Sequence, residues 1–176
     1  MLAPGHKAFG FLWGMFAITA LNLLGKVPDH LFATLIYFVL VLIGSIFPDI
    51  DRTNSYLGRR IKLLSIPISI IFGHRKFFHS LFFVILVYAA GRVVIEWQEW
   101  ELFYLIGFIV GVISHLIGDY LTRRGIPLFY PFTKKYYRFV VTFKTGSVIE
   151  HSITGLLIII NVILIIVFIK NRMIII

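Results

Sequence analysis

The sequence predicts an all-α protein, a polytopic membrane helix bundle of about five transmembrane helices plus an interfacial segment. Hydrophobic residues make up 59% of the 176 residues, and the mean hydropathy is +0.94. Only 14% of the residues are charged, against about 25% in an ordinary soluble domain. The apolar residues also gather in runs close to the roughly 20 residues that a spanning helix needs. We therefore expect one integral-membrane domain over residues 1–176.

The predicted spans are five apolar runs: 8–24, 31–47, 78–95, 102–121 and 152–169. Gly and Ser are scattered inside them, as close helix packing in membranes allows.

Two further stretches do not fit a span. Residues 61–73 are too few to cross a bilayer and include Pro67, which favours an interfacial or re-entrant segment. The loop 122–149 alternates aromatic and basic residues, and its YRFVVTF stretch predicts a short strand or an interfacial flap.

The charge pattern predicts the orientation. With five spans, the amino terminus and the loops after the second and fourth spans share one side, which holds thirteen of the 17 Lys and Arg residues. Basic loops mark the cytoplasmic side of a membrane protein. We therefore expect a multi-pass protein of the cytoplasmic (inner) membrane with its basic face in the cytoplasm. The net charge of +9 then points to anionic lipid headgroups, with nucleic acid ranked well behind lipid.

Histidine and carboxylate residues recur where the predicted spans end on that basic side. They are His6, Asp49, Asp51, His74, His79, His115, Asp119, Glu150 and His151. The topology alone would bring them to one end of a bundle, and helix bundles commonly build metal sites from such projecting side chains. His115 and Asp119 are four residues apart and so share one helix face. His30 falls on the opposite side and is not expected to be a ligand.

The residue types limit the chemistry of such a site. The chain has no cysteine, so a metal must be held by His, Asp or Glu, a ligand set that suits zinc, manganese or iron without choosing among them. Zinc is the metal we expect, with manganese or iron as alternatives. A catalytic zinc takes three protein ligands, and the larger number of candidates allows one or two divalent ions. Asp51 or Glu150 could act as general base if not a ligand. The planar fork of Arg75 matches a phosphate group.

Five motifs in order carry a resemblance to a known family: GHKAFG, FPDIDRTNSYLG, GHRKFFHS, SHLIGDYLTRRGIPLFYPF and GSVIEHS. Over about residues 5 to 155 the chain resembles the YdjM family, described as LexA-regulated, inner-membrane-associated metal-dependent hydrolases. The resemblance implies metal-ligand roles for a set of seven residues: His6, Asp49, His74, His79, His115, Asp119 and Glu150. Where the family usually has a glycine after the HR pair, this chain has Lys76. A weaker likeness is to the zinc-dependent phospholipase C and P1 nuclease group.

The leading hypothesis is a membrane-embedded metal-dependent hydrolase that cleaves a phosphoester of a lipid or lipid-linked substrate at the cytoplasmic membrane surface. Metal-bound water would be the nucleophile, and Arg75 with nearby basic residues would hold the anionic headgroup. The alternative is a non-catalytic metal-binding membrane protein in stress response or partner binding. An ion transporter ranks last because the spans hold few polar groups beyond Asn22 and Thr34.

Overall fold

The computed structural model describes residues 1–28 and 31–175, with side-chain surroundings up to residue 170. This part of the chain is helical, which confirms the all-α prediction. Its α-helices are α1 (Ala3–Leu23), α2 (Leu31–Gly44), α3 (Lys62–Phe72), α4 (Leu81–Trp97), α5 (Leu102–Tyr120) and α6 (Val148–Ile175). There are also two 3₁₀ turns: Phe47–Asp51 precedes the loop to α3, and Phe77–His79 lies directly before α4.

Three segments are long and apolar enough to cross a membrane. They are Leu31–Asp51, Leu102–Tyr120 and Val148–Lys170. They coincide with the second, fourth and fifth predicted spans. Of the described helices, α1 and α4 do not meet that criterion, so the predicted count of five spans is not confirmed. The α3 helix has 11 residues, too few to span a bilayer core.

Helix α5 is central to the bundle, since it packs against α1, α2 and α4. Its contact with α2 is made backbone to backbone. A Cβ atom on Gly111 would collide with the carbonyl oxygen of Val41, and one on Gly44 would collide with that of Phe108. Small residues at these two positions therefore let the helices approach closely, as in many membrane bundles.

Two apolar clusters hold the bundle together. One surrounds Tyr37, whose ring stacks on Phe103 with 4.7 Å between centroids. The other joins the 3₁₀ turns to α4 and α5 through Ile50, Phe78 and Leu116. Because the second cluster lies beside both turns, it fixes the polar residues that the turns carry.

The loop after α5 forms no strand, so the strand alternative for YRFVVTF is wrong, while the interfacial flap stays a prediction. The loop folds back on itself through two isolated bridges, Thr122 with Phe143 and Ile126 with Tyr137. Val140 and Val141 between them are 94% and 76% exposed. Residues 120–126 bond this stretch only at separate points, such as the Phe139 N–H to the Tyr120 carbonyl, so no continuous ladder forms in the described chain.

Candidate metal centre

Five side chains from four elements meet at one end of the bundle. His6 lies on α1, Asp49 and His79 lie in the 3₁₀ turns, and His115 and Asp119 lie on α5. They form two groups that could each hold a metal ion, His6–Asp49–His115 and His79–His115–Asp119. Within each group the possible ligand atoms lie within 4.8 Å of one another. His115 belongs to both groups, so the two potential sites are adjacent.

Helix packing places His6 against α5. The His6 ring stacks on the His115 ring with 3.7 Å between centroids and 7° between planes. The missing side chain of Gly118 leaves room for this arrangement, because a Cβ atom there would lie 3.3 Å from His6 Nδ1.

A backbone group just after α2 orients His115. Its Nδ1 lies 2.7 Å from the carbonyl oxygen of Ser45, so this nitrogen carries the proton and donates it. The lone pair is then on Nε2, which lies 3.3 Å from His79 Nε2 and 3.9 Å from Asp119 Oδ2. Metal-binding histidines are commonly held in this way, with the other ring nitrogen bonded to a carbonyl group.

The carboxylate of Asp51 orients His79 in a similar way, by a contact with its Nδ1 atom. His79 Nδ1 lies 3.3 Å from Asp51 Oδ2, within ion-pair range although not in hydrogen-bond geometry. His79 Nε2 points to the cluster, 3.5 Å from Asp119 Oδ2 and 3.9 Å from Asp49 Oδ1.

The donor set and its spacing fit a divalent metal. Three imidazoles and two carboxylates are ligands that zinc, manganese and iron accept. Two ligands at about 2.1 Å from one tetrahedral ion lie about 3.4 Å apart, close to the separations seen here. Within the described chain neither ring nitrogen of buried His6 makes a hydrogen bond, although Nε2 lies 3.4 Å from Asp119 Oδ1. Buried polar atoms without a hydrogen bond are costly unless something else binds them.

Asp51 and His74 form a pair beside the cluster and belong to neither metal-capable group. Asp51 is fully buried, and its Oδ1 lies 2.9 Å from His74 Nδ1. Its Oδ2 accepts a 2.9 Å hydrogen bond from the backbone N–H of Arg75. Both oxygens of Asp51 are therefore engaged in holding the segment 74–79.

Arg75 has an unusual backbone. Its φ is 55°, in the left-handed region that costs a non-glycine residue about 1–2 kcal/mol. The conformation is held from both sides, because the Arg75 N–H donates to Asp51 and the Tyr136 hydroxyl donates to the Arg75 carbonyl at 3.0 Å. Strain of this kind is concentrated at functional sites.

The buried guanidinium of Arg75 joins the cluster to a basic pocket. Its Nη2 lies 2.6 Å from Asp119 Oδ2, and its Nη1 donates to the Gly125 carbonyl at 3.4 Å. The pocket has a volume of about 340 Å³ and is lined by Arg52, His74, Arg75, Arg123, Arg124, Lys144 and Thr145. Its lining includes five cationic side chains and no carboxylate, so it suits an anion.

Glu150 bonds to backbone groups and not to the metal-capable cluster. Its carboxylate accepts hydrogen bonds from the backbone N–H groups of Leu2 and Gly146, each at 2.5 Å. It is buried in the first turn of α6, where a negative charge stabilises the helix. Glu150 and exposed His151 are in neither metal-capable group. His30 lies outside the described residues.

A cation–aromatic contact ties α1 to the loop after Asp51. Lys7 Nζ and Arg60 Cζ each lie 3.8 Å from the centre of the Tyr56 ring. The hydrogen bond and charge of Lys7, with the charge of Arg60, lower the pKa of the exposed Tyr56. The contact holds the turn that carries Asp49 against the helix that carries His6.

Three contacts at the site have no counterpart among the sequence predictions. Asp119 contacts the amino group of Met1, Tyr136 contacts the backbone of Arg75, and the Ser45 carbonyl contacts His115. Only Tyr136 could have been suspected, from the aromatic and basic alternation of its loop. The other two contacts involve main-chain groups, whose positions a sequence pattern does not indicate.

These features define a helical membrane protein with buried His and Asp residues that could bind a metal. The chain belongs to the family described as "YdjM inner membrane protein", whose profile matches residues 1–174. The resemblance seen in the motifs is thereby confirmed. The comparisons give no support to the weaker likeness to the phospholipase C and P1 nuclease group.

Individual relatives match over about two thirds of the chain. "Uncharacterized protein YvsG" of Bacillus subtilis is 36% identical over 111 residues, 63% of this chain and 66% of that protein. "Inner membrane protein YdjM" of Escherichia coli is 33% identical over 114 residues, 64% of this chain and 58% of that protein. The chain thus aligns with less than two thirds of the length of either relative. No solved structure matches it.

Proposed function

We propose that this protein is a membrane-embedded metal-dependent hydrolase that cleaves a phosphoester of a lipid or lipid-linked substrate at the cytoplasmic membrane surface. One observation carries the proposal: buried Arg75 contacts Asp119 of the metal-capable cluster and also lines the basic pocket. A phosphate in that pocket would therefore lie beside the cluster. The excess of Lys and Arg on the same predicted side supports its cytoplasmic placement.

The metal would be held by His6, Asp49, His79, His115 and Asp119, as one ion or as two adjacent ions. When bound, it would lower the pKa of a coordinated water and neutralise charge on the phosphate oxygens. His115 and His79 present Nε2 to it because Ser45 and Asp51 engage their Nδ1 atoms. His74 and Glu150, which the family resemblance implies as ligands, lie outside this set.

The chain's own groups then bind and orient the ester. Arg75 and the basic rim of the pocket bind the phosphate oxygens, with Arg75 held in place by its contacts with Asp51 and Tyr136. In hydrolysis the water oxygen bonds to phosphorus and loses a proton, the ester P–O bond breaks, and the leaving oxygen takes a proton.

His74 is suited to take the proton that the water loses and to pass it to the leaving oxygen. Its Nδ1 is fixed by Asp51, which leaves Nε2 for the pocket that the ring lines. Asp51 and Glu150, the two carboxylates predicted as general bases, have both oxygens engaged by other partners. The geometry therefore favours His74 as the proton carrier and Asp51 as its positioning residue.

Elemental analysis and turnover measurements on the purified protein test the proposal together. We expect one or two equivalents of zinc, manganese or iron, and metal-dependent release of phosphate or alcohol from phosphatidic acid, phosphatidylglycerol or a polyprenyl phosphate. His74→Gln should retain metal while losing turnover. Stoichiometric metal without turnover on any of these lipids would instead support a non-catalytic metal-binding protein. Absence of metal after reconstitution would contradict the proposal.

A further inference from the structure

A second polar pocket is formed largely by the loop that follows α5. It has a volume of about 350 Å³ and is lined by Lys76, Pro127, Tyr130, Lys134 and Tyr136. It shares no lining residue with the pocket over the metal cluster. In the described chain no ion pair involves Lys76 or Lys134. Its two lysines are therefore open to an anion from outside the chain.

An apolar groove adjoins this pocket. It lies between α4 and α5, has a volume of about 230 Å³, and is lined by Leu81, Val84, Ile113, Leu116, Ile117, Tyr120, Ile126 and Leu128. The stretch 126–128 forms the wall between the two cavities: Ile126 and Leu128 line the groove, and Pro127 lines the lysine pocket. The wall is fixed to the start of α4 by the 2.9 Å hydrogen bond from Leu81 N–H to the Leu128 carbonyl.

The depth of the groove suits a lipid tail. It follows α5, one of the three helices long enough to cross a membrane, from Tyr120 at its end back to Ile113. That distance is about 10 Å along a helix axis. The lysine pocket lies at the same end, beside Tyr130 and Tyr136 and near exposed Phe132. Aromatic side chains with basic ones are typical of the headgroup level of a membrane.

We propose that this pair of cavities binds one anionic phospholipid, separate from any substrate at the metal cluster. Lys76 and Lys134 hold the phosphate, Tyr130 and Tyr136 flank the headgroup, and an acyl chain lies in the groove between α4 and α5. The lipid holds the loop 121–147 to the membrane surface. The loop also contributes Tyr136, whose hydroxyl group fixes the Arg75 carbonyl.

Lipid binding to the purified, detergent-solubilised protein tests the headgroup part. Native mass spectrometry or a titration would compare dioleoylphosphatidylglycerol with dioleoylphosphatidylcholine. We expect the anionic lipid to bind at least tenfold more tightly. The double variant Lys76→Gln/Lys134→Gln should lose most of that preference, since each lysine near a membrane surface contributes about fivefold.

The matched control is Lys62→Gln/Lys135→Gln, which removes the same charge from exposed lysines that do not line the pocket. It should keep the preference for phosphatidylglycerol. Equal binding of the two lipids by the wild-type protein, or equal effects of the two double variants, would overturn the proposal.

A second pair of variants tests the groove. Ile113→Trp fills it from a position that is 38% exposed, so the fold should tolerate it. Val94→Trp places the same ring in another apolar pocket, lined by residues of α4 and α5 and by Trp100 between these helices. Only Ile113→Trp should weaken phosphatidylglycerol binding, by fivefold or more. An unchanged affinity would show that the groove holds no specific chain. Both readouts are independent of turnover, so a failed hydrolase assay leaves this test intact.

Discussion

The Nδ1 atom of His115 on α5 lies 2.7 Å from the carbonyl oxygen of Ser45, just after α2. This single contact couples the packing of two helices to the orientation of a candidate metal ligand. It exists because Gly44 and Gly111 let α2 and α5 approach at the backbone. The orientation of this candidate ligand therefore depends on the packing of α2 against α5.

The first prediction concerns that close approach. Gly111→Leu should force α2 and α5 apart, move Ser45 away from His115, and lower the melting temperature and the metal content together. Overpacking of this kind costs about 1–3 kcal/mol. Gly155→Leu is the control, since a Cβ atom at Gly155 meets nothing within 4 Å. Full metal retention in a folded Gly111→Leu protein would disprove the coupling.

The second prediction concerns the ligands. His115→Ala removes the residue common to both metal-capable groups, so the purified variant should lose all bound metal, as measured by elemental analysis. His151→Ala removes an exposed histidine of the same end and should keep wild-type content. If the His115 variant binds as much metal as the wild type, this residue is not a ligand.

The third prediction separates phosphate binding from metal binding. Arg75→Lys keeps the charge but loses the planar fork that contacts Asp119 and the pocket. Lost charge-assisted bonds of about 1.5–3 kcal/mol should lower kcat/KM for a phosphoester by about 10- to 100-fold, with metal content unchanged. Arg59→Lys, at an exposed position outside the pocket, should have no effect. Equal kinetics for the two variants would remove Arg75 from the substrate site.

The fourth prediction concerns Asp51. Asp51→Asn weakens the contacts that orient His74 and His79 while preserving size. Loss of such a supporting carboxylate typically lowers metal affinity 10- to 100-fold. Competition with a chelator would measure this, with Asn54→Asp as an exposed control in the same loop. A variant with wild-type metal affinity but reduced turnover would indicate that Asp51 acts through His74 alone.

The fifth prediction concerns Glu150. Glu150→Gln replaces a carboxylate that accepts bonds from Leu2 and Gly146. Hydrogen bonds to a charged group contribute about 1.5–3 kcal/mol, so thermal stability should fall while metal content persists. Glu101→Gln, at an exposed position before α5, is the control. Loss of metal without loss of stability would instead make Glu150 a ligand, as the family resemblance implies.

The sequence was sufficient for the class of protein and for five residues of the candidate site. Apolar composition and run length predict a helical membrane protein because bilayer thickness sets the length of a span. Chain topology then brings polar residues from distant motifs to one end, and five of the seven residues implied as ligands do meet there.

Tertiary structure decided how each of those residues is used. Asp51 and Glu150 look alike in sequence as carboxylates near span ends, yet the folded chain gives each its own partners. The left-handed backbone of Arg75 and the Ser45 carbonyl that aims His115 follow from helix packing and tight turns. These depend on backbone positions in three dimensions, which a pattern of side-chain types does not encode.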